Sequence, residues 1–149
     1  MNKKIVLIIA LIIAFFSIGA VSAGFFDFLN FGDDTSDINV VEDGKYCTVD
    51  EVAAYIKEYH KLPSNYITKK EAQSLGWHGG PLKKYAPGKS IGGDTFTNRQ
   101  HVLPDSDYKY IECDINANGT IRGAERIVYN SGDFKVYYTD NHYNTFTEV

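Results

Sequence analysis

The stretch that most constrains the fold is Tyr108 to Tyr129, two extended runs joined by a short polar turn. Over the first run apolar and polar residues alternate. Ile111, Cys113 and Ile115 therefore share one face, and Tyr110, Glu112 and Asp114 the other. Asn116-Ala-Asn-Gly119 carries turn chemistry, because Asn and Gly tolerate positive φ. The returning run, Ile121 to Tyr129, brings Arg122 and Arg126 back alongside. An antiparallel hairpin of this kind sets two carboxylates and two guanidiniums on one face, with an aliphatic face behind. Such a face is either a cross-strand salt-bridge cluster with a purely structural role or a place for chemistry on an anion. The hairpin alone leaves both open.

Charge elsewhere narrows the choice. The 149 residues, 44% of them hydrophobic, suffice for one domain with appendages. The net charge of −4 is unevenly spread, with six acids (Asp27, Asp33, Asp34, Asp37, Glu42, Asp43) against Lys45 in residues 24–45. Residues 46–149 are close to neutral, so bulk charge does not advertise a nucleic-acid binder and any phosphate site is a local cluster.

Residues 1–23 read as an export signal: Lys3 and Lys4, an apolar run from Ile5 to Ile18, and small residues at Val21-Ser-Ala23 for cleavage. The alternative is an uncleaved anchor, since nothing charged intervenes between Lys4 and Asp27. With cleavage the mature protein is expected outside the cell, with no stable membrane association and as a monomer. Residues 24–45, four Phe followed by the acidic run, are expected to form a linker or pro-segment. It is either a solvated tail or a cover for a cationic site. Cys47 and Cys113 are expected to form one disulfide in an oxidising compartment, the alternative being two buried free thiols.

The folded domain is expected over 46–149, beginning with helices. Thr48-Val-Asp-Glu51 has the form of a capping box, with Val49, Val52, Ile56 and Tyr59 following at helical spacing up to a stop near Pro63. A second capping box, Thr68-Lys-Lys-Glu71, opens a short helix ending about Gly76-Trp77. Lys69 then sits in a first turn, the electrostatically wrong end for a cation, which hints at function. Gly88-Lys-Ser90 is not a phosphate-binding loop, because position 83 is Lys and no strand precedes it. Strands follow at Ile91–Phe96, leading into the turn Thr97-Asn-Arg-Gln100, then at Phe134–Thr139 and Tyr143–Thr147. The four histidines (60, 78, 101, 142) and two cysteines lack metal-ligand spacing, so no metal is expected.

The order of segments resembles a known family. Tyr59-His-Lys-Leu-Pro63, Asn65-Tyr-Ile-Thr-Lys69, Glu71-Ala-Gln, Leu75-Gly-Trp77, Ala86-Pro-Gly-Lys-Ser-Ile-Gly-Gly-Asp94 and His142-Tyr143 are similar to the microbial guanyl-specific ribonucleases of bacterial type, the barnase-like family. The resemblance runs in order over about residues 48–147.

It implies an α+β fold, with N-terminal helices packed on an antiparallel β-sheet. It also implies an endoribonuclease that cuts single-stranded RNA by transesterification to a 2′,3′-cyclic phosphate, followed by hydrolysis, with no metal or other cofactor. On that resemblance Glu112 is the general base and His142 the general acid. Lys69, Arg122 and Arg126 surround the scissile phosphate with Tyr143 beside it. Asp114 braces the arginines, and Asp94 is structural. The loop Thr97, Asn98, Arg99 and Gln100 takes the base.

The family carries a glutamate where this chain has Gln100, so a weaker guanine preference is expected. The resemblance also implies RNA as substrate and a small acidic protein inhibitor of the barstar type as partner. Two alternatives remain: a non-catalytic RNA-binding module on the same fold, and the same nuclease held at a membrane by an uncleaved N-terminus.

Overall fold

The structure, a computed structural model, describes residues 37–149. The expected export signal and residues 24–36 of the expected linker lie outside the described residues. Helix α1 spans Val49–Tyr59 and α2 Lys69–Ser74; the strands are β1 Tyr66–Ile67, β2 Ser90–Phe96, β3 Tyr110–Asp114, β4 Arg126–Asn130, β5 Val136–Thr139 and β6 Thr147–Glu148. They form one six-stranded sheet in the order β1-β2-β3-β4-β5-β6. The β1–β2 pair is parallel, and every later pair is antiparallel. This is the α+β architecture expected, with the helices preceding the antiparallel sheet.

The sheet separates two environments, as the alternation in β3 requires. One face carries Cys113, Ile115, Ile127, Tyr129 and Val136, packed with Val52, Ala53 and Ile56 of α1. Val52, Ile56, Ile127 and Val136 are completely buried, each contributing about 1.5–3 kcal/mol. Tyr110 and Val128 point to the opposite face with Leu103, where Phe96, Tyr137, Tyr143 and Phe146 pack on them. A smaller cluster of Ala72, Trp77, Leu82, Ala86 and Ile91 secures α2 and its following loop.

Helix α1 ends at His60, which adopts a left-handed conformation (φ 58°) and donates its N–H to Ile56 O at 2.8 Å. The two capping boxes differ. At Thr68 the box is complete, the hydroxyl accepting from the Glu71 N–H at 3.2 Å and Glu71 accepting from the Thr68 N–H at 3.2 Å. At Thr48 it is not formed. The hydroxyl donates to Glu51 Oε1 at 3.0 Å, and no side chain caps the helix backbone.

Other sequence expectations also need correction. Ile121 is 80% exposed and lies outside any strand, so the β3–β4 connection runs well beyond Asn116–Gly119. Tyr143–Phe146 is a bend rather than strand, because His142 and Tyr143 take left-handed φ values of 54° and 73°. The cysteines are free thiols and make no disulfide. Cys113 packs in the α1 core as a small apolar group, and burial pushes its thiol pKa up, favouring the protonated form. The tie expected of the bridge is made instead by backbone, the Asn116 N–H donating to Cys47 O at 2.8 Å.

Residues 38–45, expected as linker, pack on α1. The phenols of Tyr55 and Tyr59 donate to the carbonyls of Glu42 and Val40, and Glu42 pairs with Lys61 at 2.8 Å.

Close approach governs β2. The register shifts between Gly92 and Asp94, and Gly93 has φ 104°. A Cβ at Gly92 would lie 2.6 Å from Cys113 Cβ and 2.6 Å from Tyr66 Cδ1. Gly92→Ala is expected to destabilise by about 1–3 kcal/mol through overpacking, read as a lower urea midpoint with an unchanged slope.

Candidate active site

The site begins with the register of β3 and β4. Asp114 stands directly opposite Arg126. Two residues back, on the same face, is Glu112, opposite the buried Val128. Asp114 is 2% exposed and Arg126 5%, so the row is sealed at one end. Arg126 Nε lies 3.0 Å from Asp114 Oδ1, but its direction makes no hydrogen bond. Arg126 Nη1 donates to the carbonyls of Gly123 at 2.8 Å and Glu125 at 2.7 Å, which fixes the plane of the guanidinium.

Arg122 comes from the long connection. It forks onto the same carboxylate, Nε to Oδ2 at 2.6 Å and Nη2 to Oδ1 at 3.1 Å. That hydrogen bond holds its pKa above the usual arginine value, against the opposing effect of burial. Its guanidinium also lies 5.5 Å over the Trp77 ring. Nothing in the sequence pattern connects residues 77 and 122, which meet only in the folded chain. A buried carboxylate shared by two arginines is weak evidence for stability, because desolvation cancels much of the attraction. Its consistent effect is to hold two cations in place.

Helix α2 brings in Lys69. The Asp94 carboxylate accepts the Lys69 N–H at 3.0 Å, tying the helix start to β2. Lys69 Nζ reaches Glu112 Oε1 at 3.2 Å, with side-chain exposures of 43% and 15%. An ion pair this open is worth at most about 1 kcal/mol, so an incoming anion can displace it at small cost.

Tyr143 joins this cluster to the bend after β5. Its phenol pKa is pushed up, first by burial and then by the Glu112 carboxylate, with Arg126 opposing. Its ring packs on Leu103, Tyr110 and Val128, on the sheet face that carries Glu112 and Arg126. The edge of its ring meets His142, with centroids 4.8 Å apart. His142 is exposed, and its N–H is held by Ala124 O at 3.1 Å.

Tyr143 and His142 also line a cavity of about 270 Å³ with Phe96, Thr97, Asn98, Arg99, Gln100, Val102 and Asn144. The Asn98 amide is spent on its own loop, donating to Leu103 O at 2.9 Å and accepting the Leu103 N–H at 3.1 Å. Glu112, Asp114 and Arg126 thus share one face of the sheet, where Tyr143 packs beside Val128, and Tyr143 and His142 line the cavity next to it. Among the described residues no three His, Cys, Asp or Glu side chains group so as to hold a metal ion.

A ribonuclease family model matches residues 49–149. The chain belongs to that ribonuclease family. The ribonucleases of Bacillus intermedius and Bacillus pumilus are each 49% identical to it over 105 residues, covering 68% of this chain and 64% of theirs. The ribonuclease of Heyndrickxia coagulans is 48% identical over 105 residues, covering 68% of this chain and 95% of its own. The chain spans less than two thirds of the two Bacillus ribonucleases. The matched region contains every residue of the charged cluster and of the cavity named above, while residues 38–48 lie ahead of it.

Proposed function

We propose that this ribonuclease-family chain is a metal-independent endoribonuclease. It cleaves single-stranded RNA through a 2′,3′-cyclic phosphate that is then hydrolysed. The reading is carried by the position of Tyr143, which packs beside Val128 on the sheet face that holds Glu112 and Arg126 and meets His142 with ring centroids 4.8 Å apart. A base and an acid bordering one cationic spot are what in-line displacement at phosphorus requires.

In this reaction Glu112 takes the proton of the 2′-hydroxyl, and that oxygen attacks phosphorus. The bond from phosphorus to the 5′-oxygen breaks, and His142 delivers a proton to the departing oxygen. Hydrolysis of the cyclic ester reverses the two roles, with water in place of the leaving alcohol. Charge grows on the phosphoryl oxygens in the transition state. Arg122 is already held by its fork onto Asp114, and Arg126 by the Gly123 and Glu125 carbonyls beside that carboxylate, so they stabilise that charge without reorganising. Lys69 turns from Glu112 toward the phosphate, which also frees the carboxylate to act as base. RNA incubated with the protein in EDTA tests the reading directly: cleavage supports it, and intact RNA bound without cutting points to a non-catalytic module.

The cavity beside His142 takes the base 5′ to the cut. Asn98 holds the loop shape, and Gln100 meets the base edge. A neutral amide offers one acceptor to guanine, whose N1–H and N2–H are both donors. Guanine is therefore preferred less than a carboxylate would allow, by about 1–3 kcal/mol. Gln100→Glu is expected to raise the ratio of GpN to ApN dinucleotide cleavage by that amount, with little change in stability. An unchanged ratio would show that Gln100 does not read the base.

Lys3, Lys4, the apolar run to Ile18 and the small residues at 21–23 support export with removal of residues 1–23. The protein then acts outside the cell, as a monomer on RNA. A small acidic inhibitor of the barstar type is the partner that suits a cationic cleft needing restraint before export.

A further inference from the structure

The bend that carries His142 has its own retaining device. His142 and Tyr143 are consecutive non-glycine residues at positive φ, 54° and 73°, a conformation that side chains disfavour and surroundings must impose. The hub is Thr139, the last residue of β5 and 1% exposed. Its hydroxyl accepts the Tyr143 N–H at 3.1 Å and donates to Asn141 Oδ1 at 3.0 Å. Asn141 passes the constraint on: Oδ1 accepts the Thr145 N–H at 3.0 Å, and Nδ2 donates to Thr145 Oγ1 at 2.7 Å. Thr139 is also paired across the sheet with Arg126, which is paired with Asp114. One row, Asp114–Arg126–Thr139, therefore fixes both the guanidinium and the root of the bend.

We propose that the Thr139 hydroxyl is a positioning group for catalysis, holding His142 and Tyr143 in register with Arg126; this rests on the reading of His142 as the acid. Thr139 touches neither substrate nor reacting atoms. A hydroxyl serves here because it accepts and donates at one atom. Valine has the same shape and offers neither, which leaves the Tyr143 N–H without its partner.

The test compares steady-state cleavage of a GpA dinucleotide by the full exported chain and by Thr139→Val, Thr139→Ser and His142→Ala. Amide hydrogen exchange at Tyr143 is followed in parallel. Thr139→Val is expected to lower kcat by about 10- to 100-fold, as misplacement of a reacting group does, with KM changed less than about 3-fold. Thr139→Ser restores kcat to near wild type, and Tyr143 exchange is at least about 10-fold faster in the valine variant alone.

A valine variant with kcat within twofold of wild type, a serine variant no better than valine, or unchanged exchange at Tyr143 each overturns the proposal. If Thr139→Val does not fold, Asn141→Ala carries the same expectations for kcat, KM and exchange. Full activity in His142→Ala instead overturns the role given to His142. Tyr143 exchange still decides whether the hydroxyl holds the bend.

Discussion

His142→Ala is expected to lower RNA cleavage by about 10²–10⁴-fold, the usual worth of a positioned general acid, and Glu112→Ala by a similar factor. Neither change should weaken the fold appreciably. His142 is exposed, and Glu112 gives up a half-open pair with Lys69 and its interaction with the Tyr143 phenol, neither of which is a large contribution. Thermal midpoints within about 2 °C of wild type, beside the loss of activity, separate a chemical role from a structural one. The double variant should fall little below the worse single one, because base and acid serve one displacement and act as a unit. If either variant keeps more than a tenth of wild-type kcat/KM, the assignment of that residue fails.

Asp114→Ala is expected to have the largest effect on stability, about 3–5 kcal/mol, because it leaves the 5%-exposed Arg126 as an uncompensated buried charge. Urea unfolding measures it, with an unchanged slope marking a loss confined to the folded state. Activity should fall as well, below saturation by folding, since Arg122 loses its fork and Arg126 its partner. Cleavage at a temperature where the variant remains folded isolates that second loss. A cost below about 1 kcal/mol would mean that water or a neighbouring group replaces the carboxylate, and that the arginines are not locked.

These two experiments bear on the part of the chain that was most legible. The alternation from Tyr110 to Ile115 is a period-2 signal over six residues, and the face it predicts for Glu112 and Asp114 is the face found opposite Val128 and Arg126. The complete box at Thr68 was equally readable, because its partners lie three residues apart.

What escaped was set by distance or brevity. The strand Tyr66–Ile67 has two residues, too few to show a period, and exists only because β2 runs beside it. The stretch from Tyr143 looked like strand because its aromatic and threonine residues suit one. The Thr139 and Asn141 side chains override that preference. Cysteine count and destination favoured a bridge, but neither shows how a thiol packs, and Cys113 is enclosed by the α1 core. Arg122 was legible as a cation on the hairpin. Its stack on Trp77 was not, since the two residues meet only through the tertiary fold.

The acidic lead-in has a practical consequence for where the protein can be cut. The family match opens at residue 49, yet two tyrosines of α1 fasten residues 40 and 42 through their hydroxyls. A fragment trimmed to the family's border would bare aromatic rings that the intact chain covers. Fragment designers should therefore start upstream of Ile38, because kinship and physical wholeness draw the edge of this protein in different places.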